Sequence, residues 1–354
     1  MGRRHHYVPK FYLRAFSADG RRINLFNLNS GRFVFGASLR DQCYASRFYG
    51  HDDRVENVLA EIEGVAARVF AQMRDHGSIP GGGTADRAAL LLFIGLQLAR
   101  TTGTQEYALR MSQLLTHVAF DGKAPERALK PKEITRIMLS LAPNLAATIG
   151  DLSMTVLTSP PGASFATSDN PVFKYNSYCE GILHFGVTGT QCKGLQLFFP
   201  ISPTKLLFLF DAAVYKLVRI GRKVVALSLS DVEQLNRLQL IGASENAYFR
   251  EEMTGHQVEQ NSKDALLIRN ATKPTVVRAV DDSDENSELL HQFWPMPQLN
   301  LRLSVVSIRP SAEALPRMMR MRRVRSPYES AKRPPEPGET HRRFTVRSRY
   351  DAPE

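Results

Sequence analysis

Cysteine is scarce in this sequence: Cys43, Cys179 and Cys192 are all that its 354 residues contain. An odd number leaves at least one thiol unpaired in any disulfide scheme within the chain, and no C-x-x-C spacing occurs. Disulfide-stapled and zinc-ribbon classes are therefore excluded, and a reduced, cytoplasmic setting is expected. Long apolar runs are lacking too. The longest, Ala88 to Ala99, has 12 residues, against the about 20 that a membrane-spanning helix needs. It reads as a buried helix. Behind Arg3 and Arg4 the chain continues with polar and aromatic residues, not the apolar core of a secretory signal. Common catalytic signatures are missing. The stretch from Pro80 to Thr84 is glycine-rich without the lysine of a phosphate-binding loop, and G-x-G-x-x-G, H-E-x-x-H and G-x-S-x-G do not occur in context.

The remainder is globular in character, 43% hydrophobic and 23% charged. Its formal charge of +11 is unevenly spread. From Ile308 onward there are 12 basic and 6 acidic residues, which places more than half of the excess in the last 47 positions. Such a tail can attract nucleic acid, or can be a solvated extension.

Periodicity divides the chain into elements. Pro9 to Ser17 predicts a short helix, with His5, His6 and Tyr7 as an extended lead-in. Ile23–Asn27 and Arg32–Gly36 flank an Asn-Ser-Gly turn and predict a β-hairpin. Asp52 to Asp75 repeats apolar residues every three or four positions, a helix. Ala85 to Phe120 predicts either one long helix or two divided at Thr101–Gly103, and Lys130 to Ile149 another. After Asp151 the chain turns to strands, followed by a helix over Leu229–Ala243 capped by Ser230 and Glu233. A short strand at Ala247–Arg250 and a helix over Glu251–Ile268 complete the pattern. The fold class expected is α+β, with a helical middle packed on a mostly antiparallel sheet. Residues 1–270 are expected to form one domain and 271–354 an irregular, partly disordered basic tail. Trp294, the single tryptophan, is a candidate anchor for that tail.

Several fragments stand out in order: His5–Phe16 (HHYVPKFYLRAF), Ile62–Gly64, Leu96–Thr102 (LQLARTT), Phe165–Val172 (FATSDNPV) and Phe199–Pro203. Together they resemble a bacterial family known as domain of unknown function 4238. That family has a His-His-Tyr-x-Pro motif, a helical glutamate, a Gln-x-x-Arg motif and a Ser-Asp-Asn-Pro motif. The resemblance spans roughly Met1 to Arg250. It implies a common fold and a common site, but no activity.

The same fragments carry the residues capable of chemistry. Adjacent side chains of an extended segment point to opposite sides, so His5 and His6 do not both face one ligand. A neutral imidazole can act as a base or bind a metal; the plainer reading is that both histidines pin the segment to backbone. Asp169, before Asn170 and Pro171, sits where strand ends carry functional carboxylates, but Ser-Asp-Asn-Pro is also ordinary turn chemistry. Gln97 and Arg100, three apart on an apolar helix, share a face. A buried Arg100 requires an acceptor, which is either an anionic ligand or Glu61, Glu63 or Asp169. Of the two glutamates, Glu63 is nearer the core margin.

Two readings follow. In one, His6, Glu63 and Asp169, with His5, form a catalytic cleft in which Gln97, Arg100, Asn170 and Tyr7 bind substrate. That set suits hydrolysis of a phosphate ester such as nucleic acid, with or without a divalent metal. In the other, the same residues are a structural network in a nucleic-acid- or protein-binding module, and the tail supplies the partner contact.

Overall fold

A computed structural model describes residues 4–49, 53–120, 129–182, 186–220, 223–224, 226–272, 274–281, 284–293, 295–315, 325 and 344–351. Trp294 and most of the stretch after 315 lie outside the described residues, and so do the expectations that fall on them.

The chain begins with a strand, β1 (Arg4–His6), and a one-turn helix, α1 (Lys10–Arg14), preceded by Pro9 at φ −67° in extended geometry. The hairpin follows as β2 (Arg22–Asn27) and β3 (Arg32–Ser38); its turn contains Gly31 at φ +65°, a conformation that costs glycine little. A short strand, β4 (Tyr44–Ser46), returns to pair antiparallel with β1, setting His5 opposite Ala45 and His6 opposite Tyr44.

Next comes the helical middle. It consists of α2 (Asp53–His76), α3 (Ala85–Arg100), α4 (Thr102–Ala119), α5 (Pro131–Ser140) and α6 (Ala142–Thr148). Of the two options for Ala85 to Phe120, the structure takes the divided one. Thr101 ends α3 in extended geometry, and its hydroxyl accepts the Thr104 N–H to cap α4. The single helix expected over Lys130–Ile149 is two, divided at Leu141. Pro143 is tolerated because it falls in the first turn of α6, where its missing N–H has no partner to lose.

The strands after Asp151 are β5 (Ser153–Thr158), β6 (Thr167–Ser168), β7 (Phe173–Tyr175), β8 (Gln196–Ser202), β9 (Lys205–Phe210), β10 (Tyr215–Leu217), β11 (Arg219–Ile220) and β12 (Lys223–Val224). Then follow α7 (Leu229–Gly242), β13 (Asn246–Phe249) and α8 (Glu252–Ala271). The capping box of α7 is Ser228 with Asp231, two residues earlier than the sequence pattern suggested. Asp231 wins because its carboxylate also accepts the Ser304 N–H at 2.8 Å, a contact no local pattern reveals.

The fold is α+β. Its strands are shared among several antiparallel sheets, of which two have four strands, ordered β5-β9-β8-β7 and β3-β2-β13-β6. Strand β8 is buried along its whole length. Its alternate residues Leu197, Phe199 and Ile201 join the core beneath α2 and α3, while Phe198 faces the core around α7. Phe199 packs edge-on against Phe70 of α2, ring centroids 5.5 Å apart, and stacks on Tyr12 of α1 at 5.1 Å.

The stretch from 271 is less irregular than its composition suggested. It contains β14 (Thr275–Asp281), β15 (Asp284–Phe293), β16 (Val306–Ile308), α9 (Pro310–Glu313) and β17 (Phe344–Asp351). Strands β15, β14 and β17 form a sheet, β16 pairs with β10, and Met296, Leu301, Leu303, Val305 and Ala312 join the core around α7. Proline and arginine between these points obscured the apolar contacts. Arg325 is also fixed. Its guanidinium binds the Asp151 carboxylate at 2.6 and 2.8 Å.

Candidate functional site

The β1–β4 pairing and α1 form one wall of an open cleft of about 730 Å³, and α2 forms the other. His6, Lys10 and Arg14 come from the first wall; Glu56, Leu59, Ala60 and Glu63 come from α2. Lys10 and Arg14 are one helical turn apart and share a face. Arg4 and Arg40 stand at the rim, and Tyr49 and Phe11 supply aromatic surface. Arg4 is paired with Asp41 and lies over the Tyr44 ring at 4.5 Å. Lys10, Arg14 and Arg40 are exposed, and their side chains make no ion pair or hydrogen bond among the described residues. The cleft is therefore cationic.

The two histidines do diverge. His5 is buried, stacked on Tyr49 at 5.4 Å; its Nδ1 accepts the Tyr49 N–H at 3.2 Å, and its Nε2 is 3.5 Å from the Glu56 carboxylate. It fixes the wall and does not line the cleft. His6 does. Its Nε2 lies 3.2 Å from the Arg40 carbonyl oxygen, which can only accept, so Nε2 carries the proton and Nδ1 is left as the acceptor. Burial, then the nearby Lys10 charge, lowers the His6 pKa below its ordinary value, so the ring is neutral at pH 7.

Arg100 is almost completely buried at the end of α3. Nη1 donates to Glu63 at 2.7 Å, and the guanidinium sits 5.7 Å from the Phe93 ring centroid. With the Gln97 amide assigned so that its oxygen faces the guanidinium, Gln97 accepts from Nη2 at 2.5 Å and Nε at 2.9 Å. The acceptor that the sequence demanded is thus Glu63, and Glu61 is not needed. Only Glu63 of this triad reaches the cleft. Tyr49 joins from the side: its hydroxyl donates to the His6 carbonyl at 3.1 Å, and burial pushes its phenol up to about 12, partly offset by Arg100.

Tyr7, Asp169 and Asn170 do not line the cleft. Asp169 is fully buried, and its carboxylate accepts three consecutive backbone N–H groups, from Ser244 at 2.7 Å, Glu245 at 2.8 Å and Asn246 at 3.0 Å. These bonds favour the charged form, but burial outweighs them and raises the carboxyl to about 6. Asn170 donates to the Gly242 carbonyl at 3.0 Å and accepts from Thr101 at 3.0 Å, tying α7 to the α3–α4 junction. Tyr7 is bonded to Thr102, and burial raises its pKa. These residues form a second, closed polar centre. No set of three or more His, Cys, Asp or Glu in position to hold a metal ion occurs among the described residues.

The sequence reading missed Lys10, Arg14, Arg40 and Glu56. The first two were visible, because an i, i+4 pair of cations follows the His-His-Tyr motif directly. Arg40 carried no local signal; only the β1–β4 pairing brings it to His6.

The family described as protein of unknown function, DUF4238, matches residues 4–253. The chain belongs to this family. The match takes in the cleft and the closed centre and ends at the start of α8, so all the DUF4238 fragments expected from the sequence fall inside it. No curated protein and no solved structure matches the chain. No helix among the described residues is long and apolar enough to cross a membrane.

Proposed function

We propose that this DUF4238 protein binds a phosphate ester in the cleft between α1 and α2 and hydrolyses it with His6 as general base. One observation carries the reading: Lys10, Arg14 and Arg40 converge, uncompensated among the described residues, on a cleft beside a neutral imidazole. Cations gathered at such a rim favour an anionic ligand and stabilise the charge that develops on phosphoryl oxygens. His6 Nδ1 takes a proton from water as the water oxygen attacks phosphorus. The bond to the leaving oxygen breaks, and that oxygen is reprotonated from bulk water through the open mouth. Glu63 does not serve as a base here, because Arg100 Nη1 engages its carboxylate at 2.7 Å. Nucleic acid is one such ester, and the basic positions after Ile308 would add non-specific attraction. A cytoplasmic setting suits three free thiols.

The test is turnover of generic mononucleotide and phosphodiester substrates, with and without added divalent metal, by wild type, His6→Gln and Arg40→Gln. Loss of turnover in folded His6→Gln supports the reading; undiminished turnover ends it. A second reading, a binding module without catalysis, is favoured by a different observation: Gln97, Arg100, Asp169 and Asn170 are already satisfied by protein groups. Binding without turnover in wild type selects it.

A further inference from the structure

We propose that the cleft is one half of a longer groove, and that its ligand is a single-stranded phosphodiester chain contacting at least two separate cationic subsites. The proposal rests on the cleft being an anion site. A second hollow of about 300 Å³ is lined by Phe11, Arg14, Ala15, Ala67 and Arg74. Phe11 and Arg14 line both hollows, so the two adjoin across one helix face. On α2 the sequence runs the same way. Glu56, Ala60 and Glu63 border the first hollow and Ala67 and Arg74 the second, at steps of four, three, four and seven residues, one continuous stripe of that helix. From Glu56 to Arg74, at about 1.5 Å per residue, the stripe runs roughly 27 Å. A lone phosphate monoester would occupy only a small part of that length.

Arg74 is the second, independent sign. Its Nη1 is shut away from solvent without a hydrogen-bond partner. A guanidinium donor left unsatisfied in this way is costly, and a phosphate oxygen is the acceptor that suits its fork. Burial also depresses the Arg74 pKa, outweighing the opposing effect of the neighbouring Asp75 charge. Small floor residues, Ala15 and Ala67, leave room for backbone, while Phe11 offers a ring between the two subsites. Cations spaced along a groove with an aromatic between them are the arrangement that holds single strands without reading their sequence.

The experiment is fluorescence anisotropy with labelled single-stranded DNA and RNA octamers, with a mononucleotide and inorganic phosphate as competitors, across a salt series. Wild type is expected to bind the octamers at least tenfold more tightly than the mononucleotide. Arg74→Gln should weaken octamer binding about tenfold and lower the slope of log affinity against log salt by about 0.7 for the lost contact, leaving mononucleotide competition unchanged. Ala67→Glu, at a half-buried position on the floor of the second hollow, should do the same by repulsion and covers failure of Arg74→Gln to fold. Mononucleotide binding that depends on Arg40, with octamers no tighter or indifferent to both variants, overturns the groove and leaves the cleft standing. Wild type that binds neither ligand overturns both.

Discussion

Arg100 concentrates more obligations than any other side chain near the cleft. Nearly all its surface is buried, and its Nη1, Nη2 and Nε all donate, to Glu63 and Gln97, with Tyr49 alongside. Replacing Arg100 with Met would leave the Glu63 carboxylate without its partner, an expected loss of about 3–5 kcal/mol measurable by denaturant unfolding. Asp169→Ala should cost a similar amount, about 3 kcal/mol, because three part-buried N–H groups lose their acceptor together. His6 is expected to behave differently, as a group tuned for titration. Its pKa is lowered in the fold, so the unfolded chain takes up the proton first. Stability associated with this residue is complete above about pH 6.5 and declines as pH falls below that value. The acid limb of the wild-type kcat/KM profile should bend at a pH below 6.5. From sequence alone, the need of Arg100 for an acceptor was legible, as was the divergence of His5 and His6. That Asp169 would be sealed inside was not, since its three partners lie 75 to 77 positions away.

Among the elements, α3 holds the helical layer together through one glycine. A Cβ on Gly95 would stand 2.5 Å from the Ala142 carbonyl oxygen and 3.0 Å from the Ala146 nitrogen, both backbone atoms of α6. Gly95→Ala raises helix propensity by at most about 1 kcal/mol, yet it forces α6 outward. The net expectation is destabilisation of about 1–3 kcal/mol, seen as a lower midpoint in guanidinium. Apolar periodicity made α2, α3 and the N-terminal hairpin readable, because each repeats its pattern over enough residues. The division at Leu141 and the true cap of α7 escaped. Both depend on which of two local options a distant contact selects, Ser304 in the case of Asp231.

At the scale of the molecule, the C-terminal stretch is the informative part. A chain ending at Ala271 would lack Leu301, Leu303, Val305 and Ala312, all from the core around α7. It is expected to be insoluble or molten, with dye-accessible apolar surface. One ending at Leu315 keeps those residues and loses the Arg325–Asp151 pair and β17. Its circular dichroism should remain that of a folded protein, with melting a few degrees lower. Charge counting singled out this stretch as a solvated extension because its basic residues outnumber the few apolar ones that anchor it.

Arg100 and Thr101 are consecutive, yet the first is tied through Glu63 to the cationic cleft and the second, through Asn170, to the sealed aspartate centre. A single peptide unit therefore acts as a fulcrum between two environments that the sequence separates by many elements. Any ligand that draws Glu63 away from its guanidinium would tilt that fulcrum. Slowed or quickened amide exchange at Ser244 to Asn246 would then register occupancy of a pocket those amides never touch.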